Sequence, residues 1–325
     1  MNKKAVALFS GGLDSMLAVQ VVRCQGIEVL PVFFETPFFD PARAAHSAGA
    51  LGLPLKTVDI TKRHMEIVKN PRHGHGANMN PCIDCHALMV RVAGEMLAAE
   101  QADFVITGEV LGQRPMSQTK RGLALVVSES GIGGLLVRPL SAKLLPPTVP
   151  EQMGWLQRDR LCALEGRTRK PQMEMAGRFS ITRYPSPGGG CLLTEKRFAR
   201  RLRKLLETSP HPPRKDLEML KLGRHFRLDG GARLVVGRNR RENDSLVDLA
   251  SAEDIVLAAE GIPGPVAVLS GSPGRGELET ALAVTLAYSD SQGLEKCPVS
   301  ISRGGEKSEV VTPVFDKRDF SGLLI

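Results

Sequence analysis

A turn near the start of the chain has the residue types that bind phosphate. The residues Ser10-Gly11-Gly12-Leu13-Asp14-Ser15 follow a short apolar run and precede an apolar stretch with helical spacing. A strand, a glycine turn and a helix in this order direct backbone N–H groups and the positive end of a helix at one point, which favours an anion. Glycine lets the backbone approach a ligand closely, Ser15 adds a hydroxyl donor, and Asp14 is placed to cap the helix.

This turn differs from two common nucleotide-binding motifs. It lacks the Gly-Lys-Ser/Thr ending of the P-loop and the spacing of the dinucleotide fingerprint. Ser-Gly-Gly-x-Asp-Ser after an N-terminal strand instead resembles the PP-loop of the ATP pyrophosphatase superfamily. The resemblance implies that ATP is split into AMP and pyrophosphate, that AMP activates a carbonyl oxygen, and that the cofactors are ATP and Mg²⁺. It assigns the phosphates of ATP to Ser10, Gly11, Gly12, Leu13, Asp14 and Ser15. The alternative is a glycine turn that only joins a strand to a helix.

Three cysteines have a sequence context that favours chemistry. Cys82 and Cys85 form a Cys-x-x-Cys at a predicted junction of loop and helix, and Cys191 follows Gly188-Gly189-Gly190. A helix N-terminus stabilises thiolates, so Cys82 and Cys85 are candidates for reactivity or metal binding. A glycine turn lets the backbone deliver Cys191 into a crowded site.

The residues alone leave four interpretations of these cysteines open. Cys82 and Cys85 could be a redox pair, although the thioredoxin context is missing. They could bind zinc together with His73 and His75, although this spacing is not standard. They could be core thiols. Finally, Cys82, Cys85 and Cys191 could meet in space, and three thiolates can hold a 4Fe-4S cluster with one iron left open.

The elements that must position these groups alternate along the N-terminal part of the chain. Strand-like runs near residues 5–9, 28–34, 55–60, 103–107 and 134–138 are separated by helical patterns. Such alternation predicts an α/β fold, a doubly wound parallel sheet with helices on both faces. Ligands then bind at the carboxyl ends of the strands, where the glycine turn, the end of the second strand and Thr107-Gly108 would meet.

Composition and charge point to a polyanionic partner. The apolar fraction of 42% and the charged fraction of 24% are typical of a soluble globular protein, and the longest apolar runs are too short to span a membrane. We therefore expect a cytoplasmic protein with no membrane partner, whose cysteines are thiols or metal ligands and not structural disulfides. Residues 151–241 contain 22 Lys and Arg against 9 Asp and Glu, whereas the whole chain has 43 against 35. A basic middle segment favours nucleic acid as the partner, unless it is only a solvated face.

Prolines divide the chain into three predicted segments. Residues 1–145 form the α/β nucleotide-binding domain, residues 146–215 a basic and mostly helical connector that carries Cys191, and residues 216–325 a small α+β domain with short strands and turns. Within the connector, residues 196–206 are amphipathic, with an apolar stripe and a cationic remainder.

Four motifs together resemble the tRNA thiouridine synthetase families ThiI and MnmA over about residues 1–200. They are the glycine turn, Asn80-Pro81 with Cys85, Thr107-Gly108-Glu109 and Gly189-Gly190-Cys191. The resemblance implies that Cys85 and Cys191 carry out sulfur chemistry, with Asp14 as the third catalytic residue. Cys82 resembles the additional ligand of the cluster-dependent branch, which implies a 4Fe-4S cluster on Cys82, Cys85 and Cys191. Phe34, Thr107, Gly108 and Gln113 would flank the nucleotide.

The C-terminal segment has a second resemblance. Gly237, Arg238, Asn239, Asn243 and Asp244 match a pattern of the NFACT-R RNA-binding domain. Arg and Asn side chains suit contacts to phosphate and the 2′-hydroxyl. The cations predicted to contact RNA are Arg200, Arg201, Arg203 and Lys204 of the connector, and Arg238, Arg240 and Arg241, with Asn239, of the C-terminal segment. The alternative is a charged turn of a structural domain.

These resemblances imply an ATP-dependent tRNA sulfurtransferase that adenylates a uridine carbonyl and replaces its oxygen with sulfur. The spacing Thr107-Gly108-Glu109-x-x-Gly112-Gln113 favours 4-thiouridine over 2-thiouridine. The sulfur would come from sulfide or a persulfide carrier, by way of the cluster or of a persulfide on Cys191, and the protein could be a homodimer. The alternatives are a PP-loop ligase or amidase that acts on a small molecule, and a non-catalytic RNA-binding protein.

Overall fold

The chain forms two compact units. A computed structural model describes residues 3–184 and 191–325. The units are Met1–Thr194 and Glu195–Ile325. Their boundary lies inside the connector predicted at residues 146–215, so the structure divides those residues between the two units.

The first unit alternates strands and helices as the sequence predicted. The strands are β1 (Lys4–Leu8), β2 (Glu28–Glu35), β3 (Lys56–Asp59), β4 (Phe104–Thr107) and β5 (Leu136–Val137). The helices are α1 (Leu13–Arg23), α2 (Pro41–Ala50), α3 (Thr61–Lys69), α4 (Cys82–Met96), α5 (Lys120–Ser130), the short α6 (Val149–Gln152) and α7 (Lys170–Arg178).

The five strands form one parallel sheet in the order β3-β2-β1-β4-β5. In this sheet Leu8 pairs with Val32 on one side and with Thr107 on the other. The carboxyl ends of β1, β2 and β4 therefore lie side by side, and the predicted α/β fold with a parallel sheet is confirmed.

Both faces of the sheet are buried, because residues of β1 alternate between two cores. Ala5 and Ala7 belong to a cluster with α1 and α2, whereas Val6 belongs to a cluster with α4 and α5. Strands that are buried on both faces are the reason for the near-continuous apolar runs in the sequence.

Of the predicted connector, the described residues 146–184 and 191–194 are part of the first unit. Leu156, Leu161 and Ala176 are buried in the same core as α1. Hydrogen bonds from Cys162 N–H to the Pro139 carbonyl and from Gly166 N–H to the Leu111 carbonyl fasten this segment to the end of the sheet. This packing is long-range in sequence, and the local residue pattern gives no sign of it.

The second unit has an antiparallel sheet, as the α+β prediction requires. The strands β6 (Arg224–Arg227), β7 (Arg233–Val236), β8 (Ile255–Ala259), β9 (Val266–Ser270), β10 (Lys296–Arg303) and β11 (Glu306–Pro313) are ordered β11-β10-β8-β9-β7-β6. The helices are α8 (Lys196–Thr208), α9 (Arg214–Met219), α10 (Arg240–Leu249) and α11 (Arg275–Ala287). In the ranges that the structure describes, no helix combines the length and the apolar character needed to cross a membrane.

Helix α8 is held to the second unit by its own side chains. Arg201 donates from Nη1 to the Leu220 carbonyl at 2.9 Å and from Nη2 to the Gly223 carbonyl at 3.1 Å. Leu202 and Leu205 on the apolar stripe are buried, which confirms the predicted amphipathic helix. The cationic remainder of α8 therefore lies on the surface of the second unit.

Candidate functional site

The glycine turn has the geometry that its sequence predicts. Gly11 has φ +72°, and a Cβ at this position would come within 2.8 Å of backbone atoms of Arg43 and Ala44. Gly12 is the N-cap residue of α1, in extended conformation and without a side-chain cap. A residue with a side chain therefore does not fit at position 11. The first backbone amides of α1 lie at the end of β1, and an anion would bind there.

The hydroxyl groups of the turn fix its shape. Ser15 Oγ donates to the Gly12 carbonyl at 2.8 Å, and Ser47 Oγ donates to the Gly11 carbonyl at 2.8 Å. Ser10 is exposed, and its Oγ accepts from the Gly12 N–H at 3.4 Å. Because the carbonyl groups are occupied in this way, the N–H groups of the turn are the atoms left for a ligand.

Asp14 does not cap α1, which corrects the prediction. Its Oδ2 accepts a hydrogen bond from Gln113 Nε2 at 3.1 Å. Its Oδ1 is buried and has no hydrogen-bond partner among the described residues. Burial raises the pKa of Asp14, and the Gln113 hydrogen bond and the charges of Arg169 and Arg114 oppose the rise. A buried carboxyl oxygen without a partner is a suitable ligand for a hard cation such as Mg²⁺.

The end of β4 lies directly against the start of α1. A Cβ on Gly108 would be 2.6 Å from Ser15 N and 2.8 Å from the Asp14 carbonyl oxygen. This contact explains why a glycine follows Thr107. The predicted meeting of Thr107-Gly108 with the glycine turn is therefore present in the structure.

The structure uses three other predicted ATP-site side chains for packing or hydrogen bonding. Phe34 is buried in the core between the sheet and α4, and Leu13 is buried in the opposite core. The Thr107 hydroxyl donates to Glu109 Oε2 at 3.0 Å. Phe34 and Leu13 can thus offer only backbone atoms to a nucleotide. Phe34 lies in a strand that is covered on both faces, and Leu13 lies on the side of α1 that faces the core. Neither side chain is therefore free to contact a ligand.

Glu109 is the centre of a buried charged network that sequence reasoning missed. It pairs with Arg138 Nε at 2.8 Å and with His86 Nδ1 at 2.9 Å, and it accepts from the Thr107 hydroxyl. Burial alone would raise the pKa of Glu109, but Arg138 and His86 together hold it well below its usual range. Because His86 follows Cys85 in α4, the network ties the cysteine helix to the end of β4. The motif Thr107-Gly108-Glu109 was a usable signal, since it already stood out in the sequence.

Both cysteines of the Cys-x-x-Cys are inside α4. The helix begins at Cys82, with Pro81 as its N-cap residue, so the predicted junction of loop and helix lies directly before the motif. Cys85 is buried, and Cys82 is partly exposed. Asp84 Oδ2 accepts from the His73 N–H at 3.0 Å and folds the preceding loop against the helix.

The segment that carries Cys191 docks against the same loop. Met79 N–H donates to the Leu193 carbonyl at 3.1 Å, and Asn78 Nδ2 donates to the Thr194 carbonyl at 2.7 Å. Gly188-Gly189-Gly190 of the predicted glycine turn lie outside the described residues. These hydrogen bonds bring Cys191 beside Cys82 and Cys85, as the resemblance implied.

The three thiols are close enough to affect each other's ionisation. Burial raises the pKa of Cys191 to about 12, and Cys82 adds to the rise. Burial also raises the pKa of Cys85 well above its usual value, and Cys191, Cys82 and Asp84 raise it further. Burial thus opposes the thiolate form that the N-terminus of α4 favours at Cys82 and Cys85. A positive charge supplied from outside would be needed to ionise them together.

The loop after β4 joins the phosphate turn to the cysteines. Gln113 contacts Asp14, and three residues later the Met116 side chain packs against Gly76 in the loop before Cys82. Arg114 lies between these two contacts. Its charge lowers the pKa of Asp14, of Cys82 and of Cys191, against the effect of burial in each case. Arg114 is thus a candidate functional residue. It was not predicted, although it directly follows the Gly112-Gln113 motif.

Two further residues at Asp14 come from the segment predicted to be a connector. Arg169 and Gln172, the latter from α7, lie close enough to Asp14 to lower its pKa against the effect of burial. Gln172 is 1% exposed, which is unusual for glutamine and indicates a fixed position. Since only the fold brings α7 to the turn, no local signal in the sequence could have found them.

The donor chemistry of the cysteine site suits a metal cluster, but the ligands are not preassembled. Three soft sulfur donors in a desolvated place are typical of iron–sulfur sites. Among the residues described, however, no group of three His, Cys, Asp or Glu side chains has the arrangement of a metal site. The zinc alternative gains no support, because His75 Nε2 pairs with the Val68 carbonyl at 2.9 Å and His73 lies 3.5 Å from Glu129.

In the second unit, the predicted RNA-binding motif has clear structural roles. Asn239 caps α10 by accepting from the Glu242 N–H at 3.0 Å, and Arg238 Nε donates to Glu242 at 3.0 Å. A Cβ on Gly237 would lie 2.0 Å from Asn243 Oδ1, so glycine makes room for this side chain. Arg240 and Arg241 are exposed in the first turn of α10. Of the predicted cations in α8, Arg200 and Arg203 are exposed, Arg201 binds two carbonyl groups, and Lys204 pairs with Glu207.

Known family models match a segment in each of the two units. Residues 1–143 match the family model described as Thiamine biosynthesis protein (ThiI). Residues 223–319 match the model described as NFACT protein RNA binding domain. Both resemblances found in the sequence are thereby confirmed for their segments.

The individual relatives match only part of this chain. A tRNA-specific 2-thiouridylase MnmA from Bartonella quintana is 27% identical over 135 residues, which are 35% of this chain and 32% of that protein. A probable tRNA sulfurtransferase from Caldanaerobacter subterraneus subsp. tengcongensis is 30% identical over 148 residues, which are 43% of this chain and 37% of that protein. The chain thus spans about a third of the length of the curated relatives it matches. Among solved structures, a predicted subunit of tRNA methyltransferase from Methanocaldococcus jannaschii aligns with 42% of this chain and 67% of that chain at 16% identity and a TM-score of 0.32.

Proposed function

We propose that this chain, in which a ThiI-type PP-loop domain is followed by an NFACT-type RNA-binding domain, is an ATP-dependent tRNA sulfurtransferase. The observation that carries the proposal is the loop after β4, which contacts the phosphate turn through Gln113 and the cysteine loop through Met116. A phosphate site and a thiol site joined in this way suit a reaction that first activates an oxygen with ATP and then replaces it with sulfur.

In the first step, the uridine carbonyl oxygen attacks the α-phosphorus of ATP and pyrophosphate leaves. A carbonyl oxygen is a poor leaving group, and its adenylate releases AMP readily. The N–H groups at the start of α1 would hold the phosphates. Asp14 would hold Mg²⁺, since its Oδ1 is a buried oxygen without a partner among the described residues. Arg114 would neutralise charge on the departing pyrophosphate.

In the second step, sulfur attacks the ring carbon and AMP leaves. In one route Cys191 carries a persulfide and Cys85 releases the sulfur by forming a disulfide with Cys191. In the other route Cys82, Cys85 and Cys191 hold a 4Fe-4S cluster. When bound, that cluster would supply a Lewis-acidic iron for sulfide. We favour the cluster, because iron provides the positive charge that three buried thiols need in order to ionise together.

We further propose that the product is 4-thiouridine. Glu109 and Gln113 of the ThiI-like spacing are both engaged at the site, Glu109 with His86 and Gln113 with Asp14. The sulfur donor would be sulfide or a persulfide carrier. A cytoplasmic location and a homodimer belong to the same proposal.

The experiment is in vitro thiolation of a tRNA transcript with ATP, Mg²⁺, a thiol reductant and either sulfide, the donor for the cluster route, or a persulfide carrier, the donor for the persulfide route. Mass spectrometry of the nucleosides measures the product. Asp14→Asn and Cys191→Ser should each abolish thiouridine formation. Cys24→Ser, at the exposed end of α1, is the matched control and should leave it unchanged. Thiouridine at the control level in either site variant contradicts the proposal. Pyrophosphate release that responds to a small carboxylic acid and not to tRNA would indicate a small-molecule ligase instead.

The route of sulfur is tested separately by purification without oxygen. A cluster predicts a brown protein with about four irons per chain, and loss of iron in the Cys82→Ser variant. An iron-free, colourless protein that still thiolates tRNA supports the persulfide route.

A further inference from the structure

The second unit has a strongly cationic groove beside the first turns of α8. Its volume is about 540 Å³, and among its described lining residues none is acidic. Six cationic side chains line it: Lys196, Arg197, Arg200, Arg201, Arg224 and Arg238. They come from α8, β6 and the residue before the N-cap of α10, so the groove exists only because these elements fold together.

Three of the cations are fixed by neighbouring groups and form a rigid wall. Arg201 binds the carbonyl groups of Leu220 and Gly223, and Arg238 is paired with Glu242. The Arg224 guanidinium lies over the Tyr288 ring, 4.9 Å from its centroid. A wall that is already ordered loses little side-chain entropy when a ligand binds.

The other three cations are available to a ligand. Lys196, Arg197 and Arg200 are exposed on the first turns of α8. In the parts of the chain that the structure describes, none of the three takes part in an ion pair or a side-chain hydrogen bond. Lys196 and Arg200 are four residues apart, so they lie on the same face of the helix about one turn from each other.

The crowding of positive charges in this groove favours the binding of an anion. Arg201 is partly buried, and burial lowers its pKa together with the charges of Arg238 and Arg197. Cations held together in this way repel each other, and a bound anion would offset the repulsion. Six of its ten described lining residues are cations, so a chain of phosphates fits the groove better than a single small anion does.

The groove also has an aromatic side chain, which narrows the ligand class. Tyr288 is half-buried, with its ring among the cations. Duplex RNA hides the faces of its bases, whereas single-stranded RNA can place a base against an aromatic ring while its backbone follows a cationic surface. We propose that this groove binds the sugar–phosphate backbone of a single-stranded segment of tRNA, and that a base contacts Tyr288. The proposal relies on the proposed function only for tRNA as the RNA.

The test compares two double variants of the full-length protein that remove the same charge. Lys196→Ala/Arg200→Ala removes two cations of the groove. Arg303→Ala/Lys307→Ala removes two exposed cations of β10 and β11 that do not line it, and it is the matched control. Binding of a tRNA transcript is measured by fluorescence anisotropy at several salt concentrations. Thermal melting confirms that each variant is folded.

The groove variant should bind tRNA about tenfold more weakly, and the slope of log K against log salt should fall by about 1.4, since each single-strand phosphate contact contributes about 0.7. The control should change less than about twofold in affinity. Equal losses in the two variants would overturn the proposal, because they would show that only the total charge matters.

Competition experiments test the ligand class. A single-stranded RNA oligonucleotide should displace tRNA more effectively than a blunt RNA duplex of equal phosphate number, and Tyr288→Leu should remove this preference. A duplex that competes equally well overturns the single-strand assignment. If wild-type protein binds RNA in this manner but does not thiolate it, then the proposed enzyme activity fails and the groove assignment stands.

Discussion

At the scale of single residues, the site depends on groups that the fold removes from water. Glu109, 4% exposed, is the clearest case, because its carboxylate lies between the cations Arg138 and His86. A buried pair of this kind adds little net stability over apolar packing, but the loss of one partner leaves an uncompensated charge. Glu109 is therefore expected to control stability as well as the position of the cysteine helix.

Glu109→Gln should lower the free energy of unfolding at pH 7 by about 3–5 kcal/mol, since Arg138 would remain buried without its counter-charge. The exposed pair of Arg63 and Glu95 gives the control, and Glu95→Gln should cost less than about 1 kcal/mol. Urea unfolding monitored by circular dichroism measures both. Similar losses of unfolding free energy in the two variants would show that burial of Glu109 does not determine how much its charge contributes to stability.

The same residue predicts a dependence on pH. The pKa of Glu109 is depressed in the folded state relative to 4.5 in the unfolded chain. Its contribution is therefore fully present above about pH 4.5 and is lost as the pH falls further. Wild-type stability should decline more steeply than that of Glu109→Gln between pH 5 and pH 3.5, as urea unfolding at intermediate pH values would show. Parallel curves for the two proteins contradict this assignment.

At the scale of elements, the loop after β4 links two sites that are distant in sequence. Its Gln113 contacts Asp14 of the phosphate turn, and its Met116 contacts the loop before the cysteine helix. Arg114, held between them, is the cation that opposes the effect of burial on Cys82 and Cys191. The loop thus controls the ionisation of the thiols as well as their position.

Arg114→Ala should raise the pKa of Cys82 and Cys191, so the thiolate fraction at a given pH should fall. Alkylation of these two cysteines by iodoacetamide should become slower between pH 8 and pH 10, and Arg114→Lys should restore part of the rate. Arg121→Ala, exposed on α5, is the control and should leave the alkylation rates unchanged. Mass spectrometry of the labelled peptides measures each site separately. An unchanged rate at Cys191 would contradict the role given to Arg114.

Some features of the elements could be predicted from the sequence, and others depend on tertiary packing. The parallel sheet was predictable because each strand is a short apolar run with glycine or proline nearby, and because helical patterns lie between the runs. Phe34 was expected at the nucleotide by resemblance, but β2 is covered on both faces, so its side chain belongs to the core. Gln172 and Arg169 reach Asp14 only through tertiary packing of α7, which no local pattern encodes. Cys191 was predictable as a partner of Cys82 and Cys85 because its motif was distinctive.

At the scale of the whole molecule, the position of the boundary between the units is informative. It lies after Thr194, so α8 belongs to the second unit. The amphipathic pattern of α8 predicted a buried stripe, but it could not say which half of the protein covers that stripe. The contacts of Arg201 with Leu220 and Gly223 provide the answer.

A fragment of residues 195–325 should therefore fold and bind tRNA without ATP. A fragment of residues 216–325, which begins at the domain start predicted from sequence, lacks α8 and uncovers apolar surface near Phe226 and Leu220. It should melt at a lower temperature than the longer fragment and bind tRNA more weakly. Calorimetry and anisotropy compare the two fragments. Equal melting temperatures and affinities would show that α8 is dispensable for the second unit.

The contact of Gly108 with the first turn of α1 has a consequence for the lifetime of a reactive intermediate. Backbone lies against backbone there, so the loop that begins at Gly108 cannot move away from the phosphate turn without disrupting the start of α1. The same loop reaches the cysteine segment, so the proposed adenylate and its sulfur source would be held a short, constant distance apart. An adenylated uridine is exposed to hydrolysis for as long as it waits for sulfur. A fixed spacing shortens that wait, and fewer ATP molecules are then consumed for each sulfur atom transferred.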